Sequence, residues 1–381
     1  MSTLDSLRSA VAAAPGDRSA LVDAFWAGPA RRTPIVEEVP EHPDERQVTF
    51  LWRDADAHAV LLTVNKITLS AADGLMERIH GTDVWFRTFR LGSDWRGSYT
   101  ILPLDAAGLA ELEEMESRWA MRTVREQGRT DPRNPLTIGT HGGAASVAEL
   151  PQARAAEWTD AVPARRGTST EHRLPNGRRV WLHRPAGDDG SVARPLVVML
   201  DGEIWQRGGD AATAVDALHE AGSIRTPYLL LVDAEGSRRM TDLHIDGDMS
   251  TEIAEVLVPW ARSTVPISDD PSDVIVSGES LGGLTALKTV FDHPDVAGAA
   301  LAQSSSLWMH DMLERATNAT PVRLFLTAGR HEDGLIEPNR VLVAHLGSLA
   351  HEHVFLEFNG GHDIAWWRVL WADGIRHLLP R

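Results

Sequence analysis

The sequence predicts a smaller all-β domain followed by a mostly parallel, doubly wound α/β domain. Its 381 residues are enough for two domains, each with a hydrophobic core of its own. Short segments that alternate apolar and polar residues lie roughly within 45–105. From about residue 165, wholly apolar segments alternate with helical ones, which is the pattern of a sheet covered by helices on both faces.

The first part of the chain opens with an alanine-rich helical segment and a charged, proline-rich lead-in that we expect to be exposed up to about residue 45. A small antiparallel β-sandwich is then predicted by "QVTFLWRD", "HAVLLTVN", "DVWFRTFRL" and "WRGSYTILPL". A helix capped by Asp105 follows, and the Pro-, Gly- and Ala-rich stretch after it is typical of a linker. We expect one domain over 1–160 and a second over 161–381.

The second part is predicted to be a parallel sheet. Segments such as "LVVML", "LLLVD" and "VIVSG" are apolar throughout, as strands covered on both faces must be. Segments with helical character separate them, including 209–221 and 249–260. This order is that of parallel strands joined by helical crossovers.

Composition limits the function. A formal net charge of −17 opposes binding to nucleic acid or to an anionic membrane, so we expect a small-molecule substrate. The absence of cysteine excludes disulfides, thiolate metal sites and a cysteine nucleophile. The amino-terminal residues resemble neither a signal peptide nor a membrane span, which favours an intracellular protein. We expect neither a cofactor nor a bound metal, and the oligomeric state stays open.

The stretch "VIVSGESLGGLTAL" predicts a nucleophile. In GxSxG the serine lies on a tight turn between a strand and a helix, which presents its hydroxyl above the carboxyl end of the sheet. We expect Gly278 and Gly282 to leave room for this turn and Ser280 to be the nucleophile. The backbone N–H of Leu281, at the start of the helix, is then a candidate oxyanion donor.

A serine hydroxyl needs a base to take its proton, and the base needs a carboxylate to orient it. His362 follows the apolar segment "FLEF" and two glycines, where the α/β-hydrolase chain order places the base. The loop after "VRLFLTAG" offers three carboxylates, of which Glu332 is the preferred partner and Asp333 and Glu337 are alternatives. No HxxxH or similar ligand spacing lies near the elbow, which disfavours a metal-dependent hydrolase.

A second oxyanion donor is expected from the loop after an early strand. The segment "VVMLDGEIWQ" fits, because an apolar strand delivers a glycine to the top of the sheet. The backbone N–H of Gly202 or of Glu203 is the candidate, and a simple turn at Gly202 is the alternative.

Several stretches together resemble the bacterial enterochelin esterases. In the second half these are "MLDGEIW", "SGESLGGLTAL", "AQSSSLWM", "AGRHE" and "GGHDIAWWR". In the first half, "GTDVW", "WRGSY" and "DPRNP" extend the likeness over nearly the whole chain. The first-half stretches are the more specific ones, since an elbow and a histidine occur in any serine hydrolase.

The resemblance implies an early-set-like sandwich followed by an α/β-hydrolase domain. It also implies a cytoplasmic serine esterase that hydrolyses the trilactone ring of enterobactin-type catecholate siderophores, and their linear ester products, to release iron. Ser280, His362 and Glu332 then stand at the positions of nucleophile, base and acid. Met309 departs from the family, which often has tryptophan there. Iron arrives with the substrate and is no cofactor.

A ferric catecholate is anionic and aromatic, so its site should offer guanidinium groups and aromatic faces. Arg239 lies past the strand "YLLLV", at the carboxyl edge of the sheet where ligands gather, and matches a family arginine. An ion pair of Arg239 with Asp242 or Asp233 is the alternative. The aromatic candidates near the predicted catalytic loops are Trp205, Trp308, Trp366 and Trp367. By family analogy, Trp95 and Arg96 could form a lid, with packing inside the sandwich as the alternative.

Two other functions fit the same sequence features. One is a carboxylesterase that acts on another acyl ester, such as an acylated carbohydrate. The other is a siderophore-binding protein without hydrolytic turnover.

Overall fold

The computed structural model describes residues 2–381, which divide into two compact units. The first unit contains the residues up to Arg154 together with Asn359–Ala365. The second contains Ala155–Phe358 and Trp366–Arg381. A short segment from near the carboxyl end of the chain therefore belongs with the amino-terminal residues.

The first unit contains two antiparallel four-stranded sheets. Its strands are β1 (Ile35–Val39), β2 (His42–Arg53), β3 (Ala59–Val64), β4 (Glu77–Arg78), β5 (Val84–Gly92), β6 (Arg96–Leu104), β7 (Thr137–Thr140) and β8 (Gly143–Glu149). Its helices are α1 (Thr3–Ala13), α2 (Arg18–Ala27), α3 (Ala71–Gly74), α4 (Ala106–Glu114) and α5 (Ser117–Gln127). The strand orders are β1-β2-β5-β4 and β3-β6-β8-β7.

Apolar residues from both sheets share one buried cluster, as the alternation of apolar and polar residues predicts. Phe50 on β2 and Tyr99 on β6 pack edge to face, with ring centroids 4.8 Å apart. Trp95 is fully buried in the same cluster, and Arg96 forms an ion pair with Glu149 at 2.7 Å. These contacts give Trp95 and Arg96 the packing role that we considered as the alternative to a lid.

The expected limits of the sandwich are wrong at both ends. The charged lead-in contributes β1 and part of β2, and the helices before it bury Leu7 and Phe25 in an apolar cluster with Phe86 of β5. The expected linker contributes β7 and β8, and β8 pairs with β6. Both strands are rich in glycine, alanine and threonine, so neither shows the alternation that marked the other strands.

The single helix expected after Asp105 is two helices. The Asp105 carboxylate accepts the N–H of Gly108 at 2.8 Å and caps α4, as predicted. Extended backbone at Met115 and Glu116 then separates α4 from α5.

An eight-stranded sheet forms the centre of the second unit. Its strands are β9 (Thr168–Arg173), β10 (Arg179–Arg184), β11 (Leu196–Met199), β12 (Tyr228–Val232), β13 (Val274–Glu279), β14 (Ala299–Gln303), β15 (Arg323–Gly329) and β16 (Glu352–Phe358). Its helices are α6 (Gly202–Ile204), α7 (Ala211–Glu220), α8 (Arg239–Asp242), α9 (Met249–Glu252), α10 (Val258–Thr264), α11 (Leu281–Asp292), α12 (Leu313–Asn318), α13 (Ile336–Leu346) and α14 (Ile364–Leu378).

The sheet is mostly parallel, which confirms the prediction for this half. The strand order is β16-β15-β14-β13-β11-β12-β10-β9, and the six strands from β16 to β12 run parallel. β10 runs opposite to the other seven strands, since it pairs antiparallel with both β12 and β9. The loops that follow β13, β14 and β15 therefore start at one edge of the sheet. Among the described residues, no helix combines the length and the apolar character that crossing a bilayer requires.

Candidate active site

Ser280 lies on the sharp turn between β13 and α11. Its backbone angles, φ 59° and ψ −118°, fall in a region that residues with a side chain rarely adopt. Its N–H donates to the carbonyl of Gln303 at 2.9 Å, and its own carbonyl accepts the N–H groups of Leu284 and Ser306 at 3.1 and 3.0 Å. These hydrogen bonds hold the strained turn, and the predicted arrangement of strand, turn and helix is confirmed.

The glycines of the elbow differ in what they do. A Cβ atom on Gly278 would lie 2.4 Å from the carbonyl carbon of Gly282, so the strand and helix approach too closely for any side chain there. A Cβ atom on Gly283 would lie 2.6 Å from Oγ of Ser305. Gly282 itself has ordinary space, since its nearest neighbour would be the Cβ atom of Leu200 at 3.4 Å. The close backbone approach requires glycine at 278, and the space beside Gly283 is tight, whereas we expected Gly278 and Gly282 to leave room for the turn.

This difference predicts opposite effects of two neighbouring substitutions. Gly278→Ala should lower the free energy of unfolding by about 1–3 kcal/mol, because the added methyl group overpacks the elbow. Gly282→Ala is the matched control, and it should be neutral or slightly stabilising because it removes a glycine from a helix. Urea denaturation of both variants measures the difference. Equal stability of the two would contradict the close approach at Gly278.

A second serine contacts Ser280. Oγ of Ser306 lies 3.3 Å from Oγ of Ser280, on the turn that follows β14. This turn is itself held in an unusual conformation, since Ser304 has φ 47° and its Oγ accepts the indole N–H of Trp367 at 2.9 Å. These serines lie in the stretch "AQSSSLWM", and we predicted no role for them from the sequence. Ser306 follows the strand next to the elbow, and this position could have indicated that it lies near Ser280.

The three candidate carboxylates differ in burial. Glu332 is fully buried in the turn after β15, where its N–H donates to the carbonyl of Gly329 at 3.1 Å. Asp333 and Glu337 are exposed, and Glu337 forms an ion pair with Arg340. Only Glu332 is enclosed by protein, which an orienting carboxylate has to be.

His362 lies in the Asn359–Ala365 segment, which belongs to the first unit. The Asn65 side chain donates to the carbonyl of His362 at 2.9 Å, and the carboxylate of Asp363 accepts the N–H of Ser98 at 2.5 Å. Burial raises the pKa of Asp363, and its backbone hydrogen bonds partly offset this. A Cβ atom on Gly361 would lie 2.5 Å from Oδ1 of Asn65. The glycine therefore permits close packing of this segment against Asn65.

The loop after β11 is the one predicted to supply a second oxyanion donor. Asp201 adopts the left-handed conformation with φ 52°, and Gly202 follows as the first residue of α6. A Cβ atom on Gly202 would lie 2.6 Å from the backbone nitrogen of Val232, so only glycine fits. The Glu203 carboxylate accepts the N–H of Ala234 at 3.0 Å. Leu281 is the first residue of α11, where backbone N–H groups have no partner within the helix.

Arg239 is held by a bidentate ion pair. Its Nε and Nη2 atoms donate to the two carboxylate oxygens of Asp201, each at 2.6 Å. The alternative ion pairs that we considered are wrong, since Asp242 pairs with Arg178 and Asp233 pairs with Arg179. Arg239 is thereby connected to the residue that precedes Gly202.

A buried carboxyl group lies directly before the elbow serine. Oε2 of Glu279 accepts the indole N–H of Trp205 at 3.3 Å, and Oε1 has no hydrogen-bond partner among the described residues. Burial raises the pKa of Glu279 well above its ordinary value, and the negative charge of Asp201 adds to this effect. Burial also raises the pKa of Glu203. We did not predict a role for Glu279 from the sequence, although its position as an acidic residue in an apolar strand could have indicated one.

The raised pKa of Glu279 predicts a pH-dependent effect of Glu279→Gln. Above the ordinary pKa of 4.5, the unfolded chain loses this proton while the folded protein keeps it, so rising pH favours unfolding. The substitution removes this penalty and keeps an acceptor for Trp205. The variant should therefore be more stable than the wild type near pH 7, and the gain should shrink towards about pH 4.5.

Urea denaturation at the two pH values measures the gain from Glu279→Gln. Glu337→Gln is the control, because Glu337 is exposed, and it should show no such pH-dependent gain. A loss of stability in Glu279→Gln of equal size at both pH values would contradict the interpretation.

Three of the four candidate tryptophans are buried. Trp205 packs against Trp371 with ring centroids 5.6 Å apart, and Trp366 packs against Phe358 at 5.2 Å. Trp367 donates to the turn after β14. Trp308 differs, since 61% of it is exposed. Of the four, Trp308 is the one that offers an aromatic face to solvent.

Comparison with known proteins decides the family. Residues 47–159 match the amino-terminal domain of enterochelin esterases, and residues 172–378 match a family described as putative esterases. The iron(III) enterobactin esterase of Escherichia coli O6:H1 is 31% identical over 354 residues, which cover 84% of this chain and 88% of that protein. The chain belongs to the enterochelin esterase family. The resemblance stated from the sequence is confirmed.

Two further relatives extend this result. The iron(III) salmochelin esterase of Escherichia coli O6:H1 is 30% identical, with 98% of this chain and 97% of that protein covered. The crystal structure of the Shigella flexneri enterobactin esterase, solved in the presence of enterobactin, superimposes with a TM-score of 0.79 at 26% identity. That match covers 93% of this chain and 97% of the other. This member of the enterochelin esterase family is an enzyme that hydrolyses ester bonds, as predicted.

Proposed function

We propose that this enzyme hydrolyses the trilactone ring, and then the linear ester products, of catecholate siderophores of the enterobactin type. The observation that carries the proposal is the strained serine elbow at Ser280 in a chain whose relatives are named enterobactin and salmochelin esterases. Cleavage of the ring weakens the hold of the ligand on iron. The proposal places this step in the cytoplasm, the compartment that the family resemblance implies.

In the proposed mechanism, Oγ of Ser280 attacks a lactone carbonyl while His362 takes the hydroxyl proton. Glu332 orients the imidazole and stabilises its charged form, and its complete burial supports this role over Asp333 and Glu337. The imidazolium then protonates the leaving alkoxide. Water, activated by the same imidazole, hydrolyses the acyl-enzyme and restores Ser280.

The oxyanion of each tetrahedral intermediate is assigned to two groups of backbone N–H donors. One is Leu281 at the start of α11, where the helix dipole also favours negative charge. The other is the loop at Gly202 and Glu203, whose conformation the ion pair of Asp201 and Arg239 supports. Both loops start at the carboxyl edge of the same sheet.

Substrate recognition is assigned to Arg239, which retains some exposure beside its ion pair, and to aromatic side chains near the predicted catalytic loops. The exposed ring of Trp308 can pack against a catechol face. The predicted contacts of Trp205, Trp366 and Trp367 remain predictions, and the burial of these residues favours a supporting role. Close contact between Arg239 and the anionic siderophore outweighs the repulsion by the distant, screened negative charges of this acidic protein.

A time course of products tests the proposal. The enzyme is incubated with ferric and iron-free enterobactin, with salmochelin and with acetylated sugars, and the products are followed by mass spectrometry. We expect the ring to open first and the linear trimer and dimer to follow. Hydrolysis of the sugar esters alone would identify the carboxylesterase alternative, and binding of the siderophore without any product would identify a binding protein.

The proposal includes the domain organisation. We assign the antiparallel sheets of the first unit to the early-set class of sandwiches, and the second unit to the α/β-hydrolase fold. The boundary is placed between 160 and 161. Support comes from the two family matches, which end at residue 159 and begin at residue 172.

A further inference from the structure

A hydrogen-bonded set of serine, histidine and aspartate lies towards the sheet edge formed by β9, away from the elbow strand. Oγ of Ser169 is 3.0 Å from Nδ1 of His183, and Nε2 of His183 is 3.2 Å from Oδ1 of Asp216. These residues lie on β9, β10 and α7. Since β9 is four strands from β13, Ser169 is about 19 Å across the sheet from the elbow strand.

The hydrogen bonds determine which atom carries each proton. A carboxylate only accepts, so the imidazole nitrogen that faces Asp216 must carry its hydrogen. In the neutral imidazole, the other nitrogen, Nδ1, has a free lone pair and accepts the hydroxyl hydrogen of Ser169. The second oxygen of Asp216 accepts the N–H of Gly167 at 2.8 Å, which fixes the orientation of the carboxylate. The serine proton therefore points at a base that a carboxylate orients.

The exposure of Ser169 separates this arrangement from an ordinary core histidine. His183 and Asp216 are only 2% and 3% exposed, whereas Ser169 is exposed on an edge strand. Gly167 covers the imidazole closely, since a Cβ atom there would lie 2.7 Å from both Cε1 and Nε2 of His183. A buried base thus faces a hydroxyl group that reagents can reach.

We propose that Ser169 is a second nucleophilic serine, which accepts an acyl group from activated phenyl esters. Oγ of Ser169 attacks the acyl carbon and Nδ1 of His183 takes the hydroxyl proton. The bond between the acyl carbon and the phenolate oxygen breaks, and the imidazolium returns the proton to give phenol. The products are O-acyl-Ser169 and a neutral His183.

This reaction should stop after one acyl transfer. Ser169 lies within a strand, so the helix N-terminus that is available at Ser280 is not available to it. The good leaving group of a phenyl ester helps the first transfer, whereas hydrolysis of the alkyl ester O-acyl-Ser169 has neither a good leaving group nor this oxyanion stabilisation. We expect one acyl group per chain and no sustained turnover.

The test uses the full-length Ser280→Ala variant with 4-nitrophenyl acetate, followed by peptide mass spectrometry. Ser169 should be acetylated about 100-fold faster than Thr168 and Thr170, which are exposed on the same strand but have no such base. Adding His183→Gln should abolish the excess. Adding His172→Gln, the matched control on β9, should preserve it.

Acetylation of Ser169 no faster than that of Thr168 and Thr170 would overturn the proposal, as would unchanged labelling after His183→Gln. Circular dichroism reports whether His183→Gln is folded, and Asp216→Asn replaces it if it is not. Because the nucleophile of the main site is absent from every variant, this result is independent of siderophore hydrolysis. If the wild type did not hydrolyse siderophores, this would contradict the proposed function but not the proposal for Ser169.

Discussion

Ser280→Ala should lower kcat for siderophore ester hydrolysis by about 10⁵-fold to 10⁶-fold, the range seen when a serine hydrolase loses its nucleophile. The hydroxyl is the only group that this substitution removes. The backbone at position 280 keeps its hydrogen bonds to Gln303 and Leu284 in the variant, because those bonds involve main-chain atoms. Single-turnover and steady-state assays on the same siderophore measure the loss, and substrate affinity should change little.

Ser263→Ala is the matched control, because Ser263 is an exposed serine whose hydroxyl bonds only the carbonyl of Trp260 in its own helix. It should retain full activity. Circular dichroism and the urea midpoint should be the same for both variants. Retention of more than about a hundredth of the wild-type kcat in Ser280→Ala would rule out the nucleophile assignment.

Glu332→Gln should lower kcat by about 10³-fold to 10⁴-fold with little effect on KM. The amide has nearly the shape of the carboxylate, but it cannot stabilise an imidazolium, and its NH₂ group favours the wrong tautomer. The effect should fall on the chemical step, since Glu332 is fully buried and out of reach of a bound ligand. Steady-state kinetics with the linear ester as substrate measure kcat and KM separately.

Asp333→Asn and Glu337→Gln are the matched controls, because both carboxylates lie in the same loop region and both are exposed. Each should retain kcat within about twofold. A large loss in Asp333→Asn together with normal activity in Glu332→Gln would transfer the acid role to Asp333. The three variants thus decide among the carboxylates that the sequence left open.

The strands, helices and turns that the sequence predicted correctly are those that depend on the local pattern of apolar residues and glycines. The apolar segment before Ser280 predicts a strand, and the glycines around Ser280 predict a turn into a helix. The structure has all three. Wholly apolar strands likewise predicted the parallel sheet. In the first unit, alternation identified β2, β3, β5 and β6 but passed over β7 and β8, whose pairing with neighbouring strands outweighs their weak propensity.

In the candidate site, too, local pattern predicted some features and contacts between distant residues decided others. A strand followed by glycine was enough to select Ser280, Gly202 and the Glu332 loop, because the carboxyl ends of parallel strands share one edge. Which carboxylate is enclosed, which partner Arg239 takes and which serine approaches Ser280 depend on side chains distant in sequence. Asp201 and Arg239, for example, are 38 residues apart. No local pattern encodes such contacts.

By itself, the sequence determined the order of the elements, the elbow that carries Ser280 and the family of the enzyme. Only the tertiary structure decided that Glu332 is buried while Asp333 is exposed, that the segment carrying His362 belongs to the first unit, and that Ser169, His183 and Asp216 form a hydrogen-bonded set. The reason is physical. Backbone conformation follows from neighbours in the chain, whereas burial and hydrogen-bond partners follow from which distant segments pack together.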